Sequence, residues 1–199
     1  MRRRDFTIGS ISAVGLGRGA TAEEVLRDRI ARGGLVLLLR HARTEPGIGD
    51  PPGFRLDDCA TQRNLSPEGR ADARALGAYL RASGLLRAEV RSSAWCRRRE
   101  TAELLGLGPV AHEPALDSFF EDRSRAAERT AALRAILAGW PGPATLVLVT
   151  HQVNITAATG LATAMGEALL VEPAAGGRIL GRLSPSPTGG PPRLQAVGG

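Results

Sequence analysis

A continuous apolar run that stops on two polar side chains is the feature that most constrains this chain. Residues 35–39 read Leu-Val-Leu-Leu-Leu, follow two glycines and lead directly into Arg40 and His41. Five apolar residues without alternation predict a strand buried on both faces, as in the middle of a parallel sheet. Such a strand delivers Arg40 and His41 to its carboxyl end, where open α/β sheets bind ligands.

The same construction occurs again along the chain. Residues 146–150 form a second apolar run, and this run ends at His151. A shorter strand, predicted at 89–92, leads into a segment that contains Arg97. Because the carboxyl ends of parallel strands meet at one edge of a sheet, we expect these side chains to converge with those that follow the first strand.

Four short motifs resemble the signature of the histidine phosphatase (phosphoglycerate mutase-like) superfamily. In chain order they are Arg40-His41-Ala42, Arg63-Asn64-Leu65-Ser66-Pro67-Glu68-Gly69, the segment Ser92 to Ala102 with Arg97 in the family register, and His151 at the end of a late strand. Together they cover roughly residues 35–155. The resemblance implies an α/β protein, a three-layer α/β/α sandwich with a mostly parallel central sheet, whose domain we place at residues 23–183.

The resemblance also assigns catalytic roles to the two histidines. A neutral imidazole can attack phosphorus without first losing a proton, so His41 is the predicted nucleophile and forms a phosphohistidine. His151, if cationic, would stabilise the charge that develops on the transferring group. Thr44 is assigned to substrate binding. No cofactor and no metal are implied.

Two arginines complete the predicted phosphate site. Arg40 and Arg97 offer forked donors that match the geometry of a phosphate group. Arg97 would also sit near the start of a helix, where backbone N–H groups attract anions. The neighbouring Arg98 and Arg99 are interpreted as a solvated face, because the family register singles out Arg97 alone.

The sequence departs from the family pattern beside the nucleophile and in the arginine motif. Ala42 stands where glycine is usual, which would crowd the pocket slightly. Ala94-Trp95 replaces Pro-Leu and would add an aromatic wall.

The proton donor is the third departure. Leu116-Asp117-Ser118 carries serine where mutase-like members have glutamate, and Gln152 follows the second histidine where acid phosphatases have aspartate. Glu121 is the favoured substitute, with Asp117 and Asp122 as alternatives.

A long connection after the first strand is predicted to form the rim of the pocket. Residues 43–63 are rich in proline and glycine, and loops of this length usually serve a site; a mobile surface loop is the alternative.

Cys59 in this connection and Cys96 in the arginine motif either form a disulfide that pins the rim or stay as free thiols, since geometry decides. Two cysteines and three scattered histidines lack the ligand spacing of a zinc site.

Both termini are predicted to lie outside the folded domain. Residues 1–22 combine a charged start containing Arg3-Arg4, a weakly apolar middle and an Ala-Thr-Ala end, which is typical of a twin-arginine secretory signal. Export to a periplasm follows; a frayed basic tail on a cytoplasmic protein is the alternative. Residues 184–199 are rich in glycine, proline and serine and are predicted to be disordered.

Composition excludes several classes of partner. All 26 basic residues are arginine, but the formal net charge is only +6, and half of it belongs to residues 1–22. With 4% aromatic residues there is no base-stacking platform, so nucleic acid is not an expected partner. No stretch is long and apolar enough for stable membrane insertion.

We therefore expect a metal-independent phosphatase that acts on a small phosphorylated substrate. A phosphohistidine or phosphoprotein phosphatase, and a non-catalytic phosphate- or glycan-binding module on the same fold, are the alternatives. The sequence leaves the natural substrate, the oligomeric state and the pH optimum open.

Overall fold

The computed structural model describes residues 20–197, which form one α/β unit. The strands are β1 (Val36–Arg40), β2 (Ala88–Ser92), β3 (Val110–His112), β4 (Thr145–Thr150), β5 (Ala168–Glu172), β6 (Arg178–Ser184) and β7 (Arg193–Ala196). The helices are α1 (Ala22–Arg32), α2 (Pro67–Ala82), α3 (Cys96–Leu105), α4 (Ala126–Gly139) and α5 (Gln152–Thr159). Short 3₁₀ turns occur at Cys59–Thr61, Pro114–Leu116, Arg123–Arg125 and Pro173–Ala175.

The strands form a single sheet in the order β3-β2-β4-β1-β5-β6-β7. β3, β2, β4 and β1 run parallel to one another, whereas β5, β6 and β7 join through antiparallel pairs. β1 and β4 are therefore central and adjacent, which explains why their sequences are wholly apolar and wholly buried up to the polar ends.

Helices cover both faces of the sheet. Leu37 and Leu39 of β1 pack in one core with α1, α2 and α3, and Val36 and Leu38 pack in a second core with α4 and α5. This alternation of successive side chains between two covered faces is what a continuous apolar strand requires. The predicted three-layer α/β/α sandwich with a mostly parallel central sheet is confirmed.

The start of α2 shows why its motif contains serine, proline and glycine. The Ser66 hydroxyl accepts a hydrogen bond from the Gly69 amide at 3.1 Å, and Pro67 occupies the first turn. A side chain at Gly69 would place its Cβ 1.9 Å from the carbonyl oxygen of Arg43. Glycine thus lets α2 pack directly against the chain that leaves His41.

The prediction of a disordered tail at residues 184–199 is wrong for residues 193–196, and residues 198–199 lie outside the described part of the chain. Residues 193–196 form β7, an edge strand that pairs with β6. The pairing buries Leu194 against the core that includes Leu26 of α1 and Leu183 of β6. The low-complexity composition of this segment gave no indication that Leu194 would be buried or that the edge of β6 would be available for pairing.

The predicted signal segment, residues 1–22, falls outside the described residues except for its last three. Of these, Thr21 caps α1 in a reciprocal capping box with Glu24. Among the described helices, none is both long and apolar enough to cross a membrane.

Candidate active site

The carboxyl ends of β1 and β4 open into a cavity of about 290 Å³. Arg40 lies opposite Thr150 in the parallel register, so His41 and His151 follow side by side, and the His41 amide donates to the Thr150 carbonyl at 3.2 Å. The cavity is lined by Arg40, His41, Gly47, Ile48, Gly49, Asp50, Arg63, Trp95, Arg97, Arg98, Ser118, Phe120, Glu121, His151, Gln152, Val153 and Met165. The four predicted catalytic side chains do converge there.

The hydrogen bonding of His41 determines which of its ring nitrogens is free. Nδ1 lies 2.8 Å from the carbonyl oxygen of Ala42. A carbonyl can only accept, so Nδ1 carries the proton and Nε2 carries the lone pair. Burial, together with the charges of Arg97, Arg40 and Arg63, lowers the pKa of His41 to about 3, although the Ala42 carbonyl opposes the shift. His41 is therefore a neutral imidazole with an available Nε2.

The second histidine is also neutral in the free protein. Nε2 of His151 is 2.8 Å from the Ser93 hydroxyl, and the Trp95 ring meets the imidazole edge-on at 4.9 Å. Burial first, and then the unfavourable electrostatic environment created by Arg97 and by the adjacent His41, hold the pKa of His151 well below its usual value. The predicted cationic His151 would need a bound anion that supplies the opposite charge. The predicted aromatic wall at Trp95 is confirmed.

Arg40 is held at the cavity edge by residues that follow β4. Its Nη1 donates to the Gln152 side chain at 2.9 Å and to the Thr163 carbonyl at 2.8 Å. Its buried Nε has no hydrogen-bond partner. Gln152, which occupies the position of the acid phosphatase aspartate, therefore orients an arginine.

Arg97 is bound by a carboxylate that the sequence analysis missed. Both terminal nitrogens of its guanidinium donate to Asp50, Nη2 at 2.8 Å, and Trp95 Nε1 donates to the same carboxylate at 3.2 Å. The two side chains are only 4% and 3% exposed. Burial alone would raise the pKa of Asp50, but the bonds and charge of Arg97 hold it below its usual value. The sequence did offer one indication of this contact, because Asp50 is an acidic residue within the predicted pocket rim, residues 43–63.

Arg98 is not part of a solvated face, contrary to the prediction. Its side chain lines the cavity, the residue is 3% exposed, and its Nε and Nη1 have no hydrogen-bond partner. The first turn of α3 packs against the rim, so Arg98 is buried together with Arg97. Arg99 points outward and lies 3.7 Å from the exposed Glu103, as predicted.

The rim folds around Arg63, another cavity residue that was not assigned a role. Its Nε donates to the Gly49 carbonyl at 2.9 Å, and its Nη1 donates to the Thr44 hydroxyl at 2.7 Å. Thr44 itself does not line the cavity. The predicted substrate contact of Thr44 is therefore corrected to a support for Arg63.

The three candidate proton donors have different environments. Asp117 accepts from the Ala94 amide at 2.9 Å and lies 3.1 Å from His112 Nε2, and Asp122 caps a 3₁₀ turn. Only Glu121 of these three lines the cavity. Ser118, at the family acid position, lines the cavity as well.

The rim is tied to the arginine helix by a covalent bond. Cys59 and Cys96 form a disulfide with their Cα atoms 5.7 Å apart, which resolves the alternative left open by the sequence. Cross-linking residues 37 apart stabilises a chain by about 3–4 kcal/mol through the entropy of the unfolded state.

Ala42 does not crowd the pocket, contrary to the expectation. Its methyl group packs with Leu65 and Ala73, and Ala42 is not among the residues that line the cavity. Within residues 20–197, no group of three or more His, Cys, Asp or Glu side chains is arranged to hold a metal ion.

Comparison with known proteins agrees with this geometry. The model of the histidine phosphatase superfamily, branch 1, matches residues 36–123. Residues 36–123 therefore carry the sequence pattern of this superfamily, and the solved structures below share the fold of the chain. No curated protein sequence matches the chain significantly.

Solved structures share the histidine phosphatase fold over most of their length. The protein histidine phosphatase SixA complexed with tungstate has a TM-score of 0.52 and 16% identity, covering 73% of this chain and 93% of that one. Phosphoglycerate mutase from Thermus thermophilus has a TM-score of 0.52 and 24% identity, covering 76% of this chain and 99% of that one. The mycobacterial glucosyl-3-phosphoglycerate phosphatase complexed with VO3 has a TM-score of 0.50 and 18% identity, covering 82% of this chain and 98% of that one. At these identities the likeness establishes the fold alone.

The neutral state of His41 leads to a pH prediction. With its pKa lowered to about 3, the imidazole should stay uncharged with the proton on Nδ1 from about pH 8 to about pH 4. The unfolded chain takes up this proton below its ordinary pKa of 6.5, so this group makes stability fall as pH decreases through that window. Side-chain ¹⁵N NMR should show no titration of His41 there; a midpoint between pH 6 and pH 7 would contradict the assignment.

Proposed function

We propose that the protein hydrolyses phosphomonoesters through a covalent phosphohistidine on His41. The observation that carries this proposal is the protonated Nδ1 of His41, bound to the Ala42 carbonyl, which leaves a neutral and nucleophilic Nε2 in a cavity lined by arginines. A dianionic phosphoryl group bound there would be attracted by the nearby guanidiniums. Its charge would also raise the pKa of both histidines towards their ordinary range.

The reaction would proceed in two displacements. Nε2 of His41 attacks phosphorus, the P–N bond forms as the P–O bond to the leaving group breaks, and the leaving oxygen takes up a proton. Water then attacks the phosphohistidine, which releases inorganic phosphate and restores the imidazole. Arg40 and Arg63, which line the cavity, would contact the equatorial oxygens from the start.

Substrate binding would change the partner of Arg97. In the free protein the Asp50 carboxylate occupies the fork that a phosphoryl group would use. We infer that phosphate competes with Asp50 for Arg97, because the two anions require the same pair of N–H donors. The disulfide to Cys59 keeps the rim close to α3 while this exchange takes place.

The experiment that tests this function is hydrolysis of a series of aryl phosphates by the full chain in the presence of a chelator. We expect turnover, with Glu121 protonating the leaving oxygen. Glu121→Gln should therefore reduce the rate of phenyl phosphate hydrolysis by about 10²-fold. The rate of nitrophenyl phosphate hydrolysis should fall much less, because its leaving group needs little protonation. Glu128→Gln, an exposed acid of α4, is the control. Equal losses on all esters would remove Glu121 as the donor, and phosphate binding without any turnover would favour a binding module.

A second candidate is a phosphatase for phosphorylated histidine or another phosphoprotein. The observation that favours it is that, of the three acids considered, only the exposed Glu121 reaches the cavity, and an imidazole leaving group demands little acid catalysis. Normal turnover of phosphohistidine by Glu121→Gln, with loss of activity on alkyl phosphates, would support this candidate.

We propose that the protein is exported to the periplasm by the twin-arginine route. The Arg3-Arg4 pair before a weakly apolar segment supports this proposal, and a disulfide suits an oxidising compartment. Replacing both residues with lysine should retain the full chain in the cytoplasm, whereas the matched change Arg18→Lys should leave export normal. Normal export of the double variant would refute the proposal.

A further inference from the structure

Ile48 at the rim of the cavity is almost completely exposed, although hydrogen bonds hold the backbone on both sides of it. The residue is 93% exposed and lies between Gly47 and Gly49, which also line the cavity. Arg63 Nη1 donates to the Gly47 carbonyl at 2.8 Å, and its Nε donates to the Gly49 carbonyl at 2.9 Å. The rim therefore presents an apolar side chain to solvent from a backbone that is held in place.

Phe120 lies beside this part of the rim. It lines the same cavity and is 48% exposed. A Cβ added at Gly49 would be 4.0 Å from Phe120 Cε1, so the ring approaches the residue that follows Ile48. The Phe120 amide donates to the Ser118 hydroxyl at 3.1 Å, and the guanidinium carbon of Arg123 lies 5.8 Å from the ring centroid. Exposed apolar side chains that lie together, unlike those scattered singly, indicate a binding surface.

The two ends of the cavity differ in exposure and in chemistry. His41, Arg97 and His151 are each at most 3% exposed, whereas Ile48 and Phe120 are the most exposed apolar side chains of the lining. A phosphoryl group bound at His41 would therefore lie at the buried, cationic end. The alcohol part of its ester would extend towards the open, apolar end.

The uncharged polar side chains of the lining are already engaged within the protein. Apart from the histidines and the Trp95 indole, they are Gln152 and Ser118. Gln152 accepts from Arg40 at 2.9 Å and donates to the Thr156 hydroxyl at 2.8 Å, and the Ser118 hydroxyl accepts a backbone amide. A leaving group rich in hydroxyls, such as a sugar, would find few uncharged partners here, whereas an apolar one needs none.

We propose that Ile48 and Phe120 form a subsite for an apolar leaving group, so that the substrate is the phosphomonoester of an apolar alcohol. The proposal rests on the phosphatase function and specifies its substrate class. The arginines at the buried end bind the phosphoryl group, and the alkyl or aryl part of the alcohol covers Ile48 and Phe120. Binding is favoured in proportion to the apolar area that this contact removes from water.

Four esters test this proposal on the full chain with a chelator present: ethyl phosphate, octyl phosphate, 2-phenylethyl phosphate and triethylene glycol monophosphate. Their alcohols ionise with similar difficulty, so a difference in kcat/KM reports on binding of the alcohol part. Below the micellar concentration, the octyl or the 2-phenylethyl ester should exceed the ethyl ester by about tenfold or more. Which of the two gains more distinguishes an alkyl chain from an aromatic ring. The triethylene glycol ester, similar in length to the octyl ester but polar, should gain less than about threefold.

Ile48→Ser tests the subsite directly. This variant should lower the ratio of the preferred apolar ester to the ethyl ester by about threefold or more, because it removes an apolar contact. Leu86→Ser is the matched control and should keep the wild-type ratio, since Leu86 is 89% exposed and does not line the cavity. Thermal unfolding of Ile48→Ser should match that of the wild type, as expected for an exposed residue.

Three results would each overturn the proposal. The first is a wild-type ratio below tenfold, and the second is an equal gain for the triethylene glycol ester, which would show a preference for length alone. The third is a ratio that Ile48→Ser leaves unchanged or that Leu86→Ser lowers equally, because the preference would then not arise at the rim.

Failure of the phosphatase function itself remains distinguishable. If the wild-type protein hydrolyses none of the esters, calorimetric binding of ethylphosphonate, octylphosphonate and 2-phenylethylphosphonate replaces turnover. Binding of an apolar phosphonate about tenfold or more tighter than ethylphosphonate, and weakened by Ile48→Ser, would uphold the apolar subsite. Equal binding of all three phosphonates would refute it.

Discussion

Replacing His41 with alanine is expected to reduce turnover of aryl phosphates by roughly 10⁴-fold or more, because no other group would form the covalent intermediate. The residue sits at a cavity edge at the end of β1, so the fold should persist. Steady-state hydrolysis measures the loss. Mass spectrometry after acid-free quenching should detect phosphate on residue 41 of the wild-type protein and none on the variant.

His112→Ala is the matched control for this prediction. His112 is an exposed histidine outside the cavity, and its Nε2 lies 3.1 Å from Asp117. This variant should keep activity within about twofold, since surface substitutions away from a site have small effects. Full activity of His41→Ala would exclude the phosphohistidine mechanism, and equal losses in both variants would point to unfolding.

Replacing Asp50 with asparagine is expected to lower the free energy of unfolding by about 3 kcal/mol in phosphate-free buffer, because it leaves the buried charge of Arg97 uncompensated. The same variant should bind inorganic phosphate roughly tenfold more tightly, since the internal competitor and its negative charge are gone. Phosphate should therefore restore much of the lost stability. Chemical denaturation and calorimetry measure the two effects.

The stabilising contribution of Asp50 also depends on pH. Its pKa is lowered in the folded protein, so the contribution is present above the ordinary aspartate pKa and is lost as the pH falls through the folded value. Asp57→Asn, an exposed acid of the same rim paired with Arg55, is the control and should leave phosphate binding unchanged. Weaker phosphate binding by Asp50→Asn would instead show that Asp50 orients Arg97 for the ligand.

The central sheet and the pair of histidines were accessible from the sequence because they depend on local patterns. An apolar run that ends in a polar residue specifies both a buried strand and the edge at which its last side chain emerges. Residues 36–40 and 145–150 carry that pattern, and His41 and His151 follow them directly. The cap at Ser66 and the proline at Pro67 likewise follow local rules for helix starts, whereas Gly69 is required by the close approach of the Arg43 carbonyl.

The hydrogen-bond partners of the cavity arginines could not be predicted from the sequence in the same way. Asp50 meets Arg97 across 47 positions of the chain, and no periodicity connects them. Arg98 and Arg99 are adjacent and chemically identical, yet one is buried in the cavity and the other is exposed. Thr44 and Gln152 were assigned by position, and their hydrogen bonds to Arg63 and Arg40 depend on how the rim folds back.

The sequence by itself determined the fold class, the sheet edge that holds the site and the two histidines that meet there. Only the tertiary structure decided the pairing of Cys59 with Cys96, the neutral state of His151 and the occupation of Arg97 by Asp50. The physical reason is that hydrophobic patterning acts between near neighbours in the chain. Charge, by contrast, is decided by burial and by which groups the packed loops bring within hydrogen-bonding distance.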